Sequence, residues 1–434
     1  MRGTSLAYRI FARAATGIVP LAGLANGRIA RSHQRRRGTA DRLIAWASTS
    51  RDRSRPLAWF HASSVGEGLQ AESVLLRVRA RHPEWQFVFT HYSPSAEALA
   101  RRLPVDLADY LPYDLPGEAD RVLDAIAPSA LVFAKLDLWP EWATRAARHG
   151  TAVALVAATV RPGSGRLRWP VRAALAPGYA AVSAAGAISR GDAERLARLG
   201  VHPERIKVTG DARFDSVSDK VAAVRGDDPL LRLGTGAPTM VAGSTWPGDE
   251  RVLLDAFARL HVHRPEARLV LAPHEPTAAH LDPIERAASR LGLPPAVRLS
   301  AADGPVPFLL VDRVGVLATL YGAGTMAYVG GGFGRAGLHS VLEPAAWGVP
   351  VAFGPRWQES RDAGLLLEAG GGESLPAFGR EEAGEALHAL WNAWIQDEAR
   401  RSAQGRKARR VVDHGRGAAD ASAAMIEELV LRAT

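Results

Sequence analysis

From Pro56 onward, short apolar runs alternate with stretches whose apolar positions recur every three or four residues. The runs "PLAWFHA", "QFVFTHY", "ALVFAKL", "AVALVAA", "YAAVSAAG" and "RIKVTGD" read as strands, and "EGLQAESVLLRVRARH" and "RGDAERLARLG" as amphipathic helices between them. The alternation lapses in "SVSDKVAAVRGDDPLLRLGTGAP", which is polar and holds Gly and Pro. It then resumes with "TMVAGST", "RLVLAPH", "FLLVDR", "MAYVGGG" and "PVAFGP". Nearly continuous apolar strands separated by helices predict parallel βαβ units covered on both faces. The pattern therefore predicts an α/β chain in four parts: a leader (1–55), a first α/β domain (56–215), a linker (216–238) and a second α/β domain (239–434) ending in helices. Two such halves imply a cleft at the carboxyl ends of their strands.

A chain of 434 residues suits two domains of ordinary size. Its net charge of +9 is concentrated at one end, because residues 1–56 hold twelve arginines against two aspartates and the remainder is close to neutral. A basic leader on a neutral body does not make a nucleic-acid groove, which needs positive charge on the folded domains. The uncharged core of the leader, residues 14–26, contains Pro20 and is too short to cross a bilayer. Arginines follow where a signal-peptide cleavage site would lie. That leaves an interfacial anchor with arginines toward anionic headgroups, or a basic helix packed on the body. The absence of cysteine excludes disulfides and thiolate metal sites and fits a reducing compartment. No His-Glu-x-x-His, Gly-x-Ser-x-Gly or Walker pattern is present, and His261 and His263 diverge on a helix. No metal or other cofactor is expected.

Two stretches could carry chemistry. In "HASSVGEG" a strand gives way to a helix and Glu67 stands between Gly66 and Gly68. Either Ser64 and Glu67 form a capping box, or the carboxylate acts as a base beside glycines that leave room for a ligand. In "YVGGGFGRAGLHSVLEPAAWGVPVAFGP" a strand runs into Gly330, Gly331 and Gly332, and a helix is predicted from Ser340. Glycine N–H groups and a helix start suit a phosphate, although Ser340 and Glu343 also match a capping box.

The ordered series "HASSVGEG", "LPYDLP", "LDLWPEW", "ISRGDAERLARLGV", "VTGDARFD", "AGSTWPGDE", "LYGAGTMAYVGGGF" and "LHSVLEPAAWGVPVAFGP" resembles the 3-deoxy-D-manno-octulosonic acid (Kdo) transferases of lipid A assembly. The resemblance implies two Rossmann-like domains facing across a cleft, the GT-B arrangement. It implies an inverting, metal-free transfer of Kdo from CMP-Kdo to a lipid A precursor, at the cytoplasmic face of the inner membrane, by an enzyme of lipopolysaccharide biosynthesis. It makes Glu67 the general base. Arg213 stands where the family has a charge-stabilising lysine, and Lys135 stands where it has a glutamate. For the nucleotide it implies Pro273 and His274, the loop Val314, Gly315 and Val316, and the segment Ser340, Val341, Leu342 and Glu343, with Gly331 and Gly332 beside the phosphate. Lys135 and Trp246 depart from the family pattern. The rival expectations are a GT-B enzyme of UDP-sugars, an epimerase included, and a catalytically weak membrane-bound scaffold.

Overall fold

The structure, a computed structural model, describes residues 4–25, 27–335, 337–377 and 379–433. Residues 1–3 of the leader and Asn26, the last residue of its uncharged core, lie outside the described set. The chain divides into two compact units, Met1–Ser216 with Arg416–Thr434, and Val217–Gly415.

The first unit carries strands β1 (Leu57–Ala62), β2 (Gln86–His91), β3 (Leu107–Tyr110), β4 (Ala130–Ala134), β5 (Ala152–Ala158), β6 (Ala184–Ala187) and β7 (Ile206–Val208). They form one parallel sheet in the order β3-β2-β1-β4-β5-β6-β7. Every residue of β1, β2 and β4 is buried, which is why those strands read as unbroken apolar runs. The order reverses direction between β1 and β4, and open α/β sheets bind ligands at such a switch point.

The second unit carries β8 (Thr239–Thr245), β9 (Arg268–Pro273), β10 (Val297–Arg298), β11 (Phe308–Leu310), β12 (Met326–Val329), β13 (Val351–Phe353) and β14 (Gly372–Ser374). Its parallel sheet has the order β10-β11-β9-β8-β12-β13-β14, with the switch point between β8 and β12.

Two expected boundaries are corrected. The C-terminal helix Ala418–Ala433 belongs to the first unit, because its Ala419, Ala423, Met425, Ile426 and Val430 join the core that holds Ala58, Phe60 and Ala62. Asp215 fixes its start by accepting the Gly417 and Ala419 N–H groups at 2.8 and 2.9 Å, where a helix N-terminus has spare donors. About half of the linker is helical, from the end of helix Arg213–Ala223 and helix Pro229–Arg232.

The leader does not stand apart through residue 55. Helix Thr39–Ser50 places Ala40, Leu43 and Ala47 in the core with Leu57 and Trp59. Further upstream, Tyr8 donates to Asp114 at 2.5 Å, and Thr4 and Arg9 meet the buried Glu141. Burial raises the Asp114 carboxyl to about 6, so the Tyr8 hydroxyl and the Trp142 and Glu141 N–H groups face an acid short of solvation. Among the described residues no helix is long and apolar enough to cross a membrane.

Candidate active site

Glu67 lies in the first turn of helix Val65–Arg81, directly beyond the carboxyl end of β1. The helix buries Ala71, Val74, Leu75 and Val78, the three- and four-residue spacing of one face. Ser64 occupies the N-cap in extended conformation with no side-chain cap bond, so the capping box is not formed and Glu67 is not used up by capping. Gly68 serves packing, since a β-carbon there would stand 2.2 Å from Leu99 Cδ2, whereas one at Gly66 would meet nothing nearer than Ser64 Oγ at 3.9 Å. Of the two glycines, only Gly66 opens space beside the acid.

Lys135 follows the last residue of β4, across the switch point, and its Nζ donates to Glu67 Oε1 at 3.2 Å. The lysine has φ of +59°, a left-handed conformation that costs a residue bearing a β-carbon on the order of 1 kcal/mol. Its side chain is 43% exposed and that of Glu67 16%. Sheet topology thus unites two residues 68 positions apart. The pair engages Oε1, and Oε2 has no hydrogen-bond partner among the described residues. Beside them the carboxyl of Asp137 is raised by burial and by the charge of Glu67, and it accepts the Ser63 N–H at 3.0 Å.

The loop that presents Glu67 is tied to the leader. The Tyr92 and Ser93 N–H groups donate to the Ser63 carbonyl, and the Tyr92 carbonyl accepts from Arg36 at 2.9 Å and Ser32 at 3.2 Å. Below it, Trp139 Nε1 donates to His61 Nε2 at 3.1 Å and His61 Nδ1 lies 3.1 Å from Thr90 Oγ1. Accepting from Trp139 places the His61 proton on Nδ1. Burial, helped by His91 and Arg36, depresses this imidazole to about 3.

Arg213, at the start of helix Arg213–Ala223, forms a close fork with Asp211, Nη2 to Oδ2 at 2.6 Å and Nε to Oδ2 at 3.0 Å. It is therefore an oriented, charge-paired guanidinium.

In the second unit, Trp246 follows β8, His274 follows β9 and His339 lies beyond the glycine loop after β12. Their rings stack, with centroids 4.9 Å apart for Trp246–His274 and 4.5 Å for His274–His339. Trp246 Nε1 donates to His339 Nε2 at 3.1 Å, which puts the His339 proton on Nδ1. Burial and the neighbouring His274 lower His339 to about 4. Pro273 is buried at the end of β9 and His274 is exposed.

The glycine loop differs from its expected use. The Gly331 N–H donates to Asp249 Oδ2 at 2.9 Å, so it is not free for a phosphate. Asp249, whose carboxyl burial raises, also accepts from the Trp246 N–H at 3.0 Å and the Tyr328 hydroxyl at 2.8 Å. Gly331 has φ of +97°, and a β-carbon on Gly332 would stand 2.6 Å from the Gly354 Cα, so these glycines serve chain reversal and close backbone packing. The expected helix at Ser340 begins at Leu342 and runs only to Ala346. Val341 is its N-cap without a side-chain bond, so the Ser340–Glu343 capping box is absent. Ser340 is exposed, Val341 and Leu342 are core, and Glu343 lies 3.6 Å from Lys220. Val314 is 77% exposed, Gly315 has φ of +85° and Val316 caps the short helix Leu317–Leu320.

Sequence reasoning missed Asp249 and His339 as members of the site. Asp249 had a signal, an acid at the third position of a helix opened by Pro247. His339 had none apart from its place in the glycine stretch. Among the described residues no group of three or more His, Asp or Glu side chains is arranged to hold a metal ion.

A family profile described as 3-deoxy-D-manno-octulosonic-acid transferase (kdotransferase) matches residues 23–216. The 3-deoxy-D-manno-octulosonic acid transferase of Chlamydophila psittaci is 31% identical over 335 residues, covering 73% of this chain and 74% of that protein. The protein of the same name from Bordetella pertussis is 29% identical over 429 residues, 92% of this chain and 94% of its own. Among solved structures, UDP-GlcNAc 2-epimerase from Neisseria meningitidis superposes with a TM-score of 0.60 at 12% identity, covering 87% of this chain and all of that one. This last likeness is one of fold alone.

Proposed function

The chain belongs to the 3-deoxy-D-manno-octulosonic acid (Kdo) transferase family, and on that premise we propose that it moves Kdo from CMP-Kdo to a lipid A precursor with Glu67 as the base. The observation that carries this reading is the uncapped Glu67 carboxylate, held by Lys135 at the switch point with one oxygen left over. A sugar hydroxyl is a poor nucleophile until a base takes its proton. In the proposed step the acceptor hydroxyl oxygen bonds to the anomeric carbon of Kdo and its proton passes to Glu67 Oε2. The bond from that carbon to the phosphate oxygen breaks, its electron pair leaves with CMP, and the anomeric configuration inverts.

Arg213, aimed by Asp211, supplies the positive charge proposed to balance the departing phosphate. The cytidine nucleotide is proposed to lie at the second switch point. There Trp246 and His274 offer ring faces, Ser340, Glu343 and the loop at Val314–Val316 offer polar and backbone groups, and Pro273 shapes the floor. Gly331 and Gly332 act by letting that loop fold tightly. Lys135, in place of the family's acid, is proposed to orient Glu67 and not to share the proton transfer. The basic leader supports a peripheral attachment at the cytoplasmic face of the inner membrane, which would keep the acyl chains of the acceptor in the bilayer.

The test is to mix the full-length protein with CMP-Kdo and a tetraacylated lipid A precursor. CMP release matched by a product heavier by one or more Kdo units is the expected result. CMP release without a glycolipid product, or none at all, contradicts the reading. Calorimetric titration with CMP and UDP separates it from UDP-sugar chemistry, which would require UDP to bind the tighter.

A further inference from the structure

A second feature of the first unit lies outside the Glu67–Lys135 pair: a cavity of about 780 Å³ lined by Arg31, Arg35, Arg37, Arg42 and Arg101. Its walls come from the leader, the carboxyl end of β2, the edge strand β3 and the short helix Glu97–Arg102. We propose that this cavity binds a phosphomonoester group.

Two acids line the same cavity, and they are already engaged. Asp109 takes a two-pronged contact from Arg42, at 2.7 and 2.8 Å. Glu97 accepts the Tyr110 hydroxyl at 2.6 Å and is flanked by Arg101 at 3.7 Å and Arg35 at 4.0 Å. Arg31 and Arg37 have no acidic partner among the described residues. The lining thus holds more positive than negative charge, and a dianion would complete it.

Arg36, between two lining arginines in sequence, supplies an independent observation. It is only 4% exposed, its guanidinium carbon lies 3.4 Å from the Tyr92 ring centroid, and it donates to the Tyr92 carbonyl at 2.9 Å. Its Nε is buried without any partner, and no carboxylate pairs with it among the described residues. A buried cation without a counterion is costly to hold. Its field reaches beyond its own contacts, since it contributes to lowering the imidazole of His91 on the cavity wall, after burial as the main cause.

Planar guanidinium forks match phosphate oxygens two at a time, and several arginines around one pocket suit a doubly charged phosphate better than a singly charged carboxylate. The volume is in the range, roughly 300–1,000 Å³, of pockets that enclose a small organic ligand, so it admits a phosphate together with the sugar or glycerol that carries it. A phosphate borne by a lipid and a soluble phosphate share this chemistry.

The experiment uses the full-length protein and titration calorimetry with three probes: dihexanoyl phosphatidic acid, inorganic phosphate and dihexanoyl phosphatidylcholine. Saturable binding of phosphatidic acid, weakened about tenfold or more by the paired substitution Arg31→Ala and Arg37→Ala, is expected. Competition by inorganic phosphate at similar strength supports a soluble occupant, and binding of the lipid form alone supports a lipid-borne one. Absence of binding by both phosphate probes, equal binding by phosphatidylcholine, or unchanged affinity in the paired variant would overturn the proposal. Arg101→Ala, at a side chain 74% exposed, is a second variant with the same expected direction should the pair fail to fold. Circular dichroism checks that each variant is folded.

Discussion

The two sheets share one plan and arm their switch points differently. In the first, Glu67 beyond β1 meets Lys135 beyond β4, so opposite charges face each other across the reversal of strand order. In the second, the residues beyond β8, β9 and β12 are stacked rings and a glycine loop, and Asp249 beside them is spent on two N–H groups and a hydroxyl. Both places hold a left-handed residue other than glycine, Lys135 with φ of +59° and Ser244 with φ of +53°. Ala127 and Ala157, away from either switch point, share the conformation, so it does not by itself single out the chemistry. What separates them is the unsatisfied valence. On the proposed function, the first offers a carboxylate oxygen to a proton, whereas the second offers ring faces and backbone to a ligand. On that proposed function, one fold has been divided into a reacting half and a holding half.

The comparison breaks most completely on removal of residues 416–434. The first sheet would lose the helix that covers Phe60 and Ala62, and its buried Met425, Ile426 and Val430, at about 1.5–3 kcal/mol each, together match the margin of a typical domain. Proteolysis followed by mass spectrometry is expected to find residues 56–215 digested and residues 217–415 persisting.

Next in size, Asp249→Ala would strand the donors of Trp246, Gly331 and Tyr328 at a cost of about 3 kcal/mol. Urea unfolding followed by circular dichroism should report it, with CMP affinity falling in parallel.

Acid titration sharpens the contrast on the reacting side. The folded-state value for His61 of about 3 lies below the ordinary imidazole value near 6.5, so the unfolded chain binds the extra proton. The stabilisation is present above about pH 6.5 and is lost as pH falls toward 3, at up to about 1.4 kcal/mol per pH unit. His61→Gln should flatten that slope in urea midpoints measured from pH 7 to pH 4.

The smallest expected effect is that of Lys135→Ala. An ion pair 43% exposed on one side contributes about 1 kcal/mol or less, so stability should barely change. Turnover should fall only several-fold as Glu67 loses its orientation, with a narrower salt dependence.

The inner strands were legible because β1, β2, β4 and β8 are buried on both faces and leave apolar runs in the sequence. Strand β3, "LADY", has one buried residue in four, β10 has two residues, and β14 is a three-residue edge, so no periodicity announces them. Glu67 was found partly through its flanking glycines, yet Gly68 is glycine because Leu99 fills its space. Its partner was read only as a charge reversal. That Lys135 reaches Glu67 depends on β1 and β4 being neighbours, a fact of pairing that local pattern does not carry. The C-terminal helix was assigned to the wrong half for the same reason, since only tertiary structure shows Asp215 holding its first turn. Arg36 stayed hidden among the leader arginines because charge counts do not distinguish a buried guanidinium from a solvated one.

The division into a reacting and a holding half is tested most directly by Glu67→Gln, with the single-turnover rate at saturating CMP-Kdo and the calorimetric affinity for CMP measured on the same preparation. Loss of the proton acceptor alone is expected to slow transfer by about 10²–10⁴-fold and to leave CMP affinity within about twofold of the parent. An unchanged rate, or a rate that falls only in step with CMP affinity, would contradict the account.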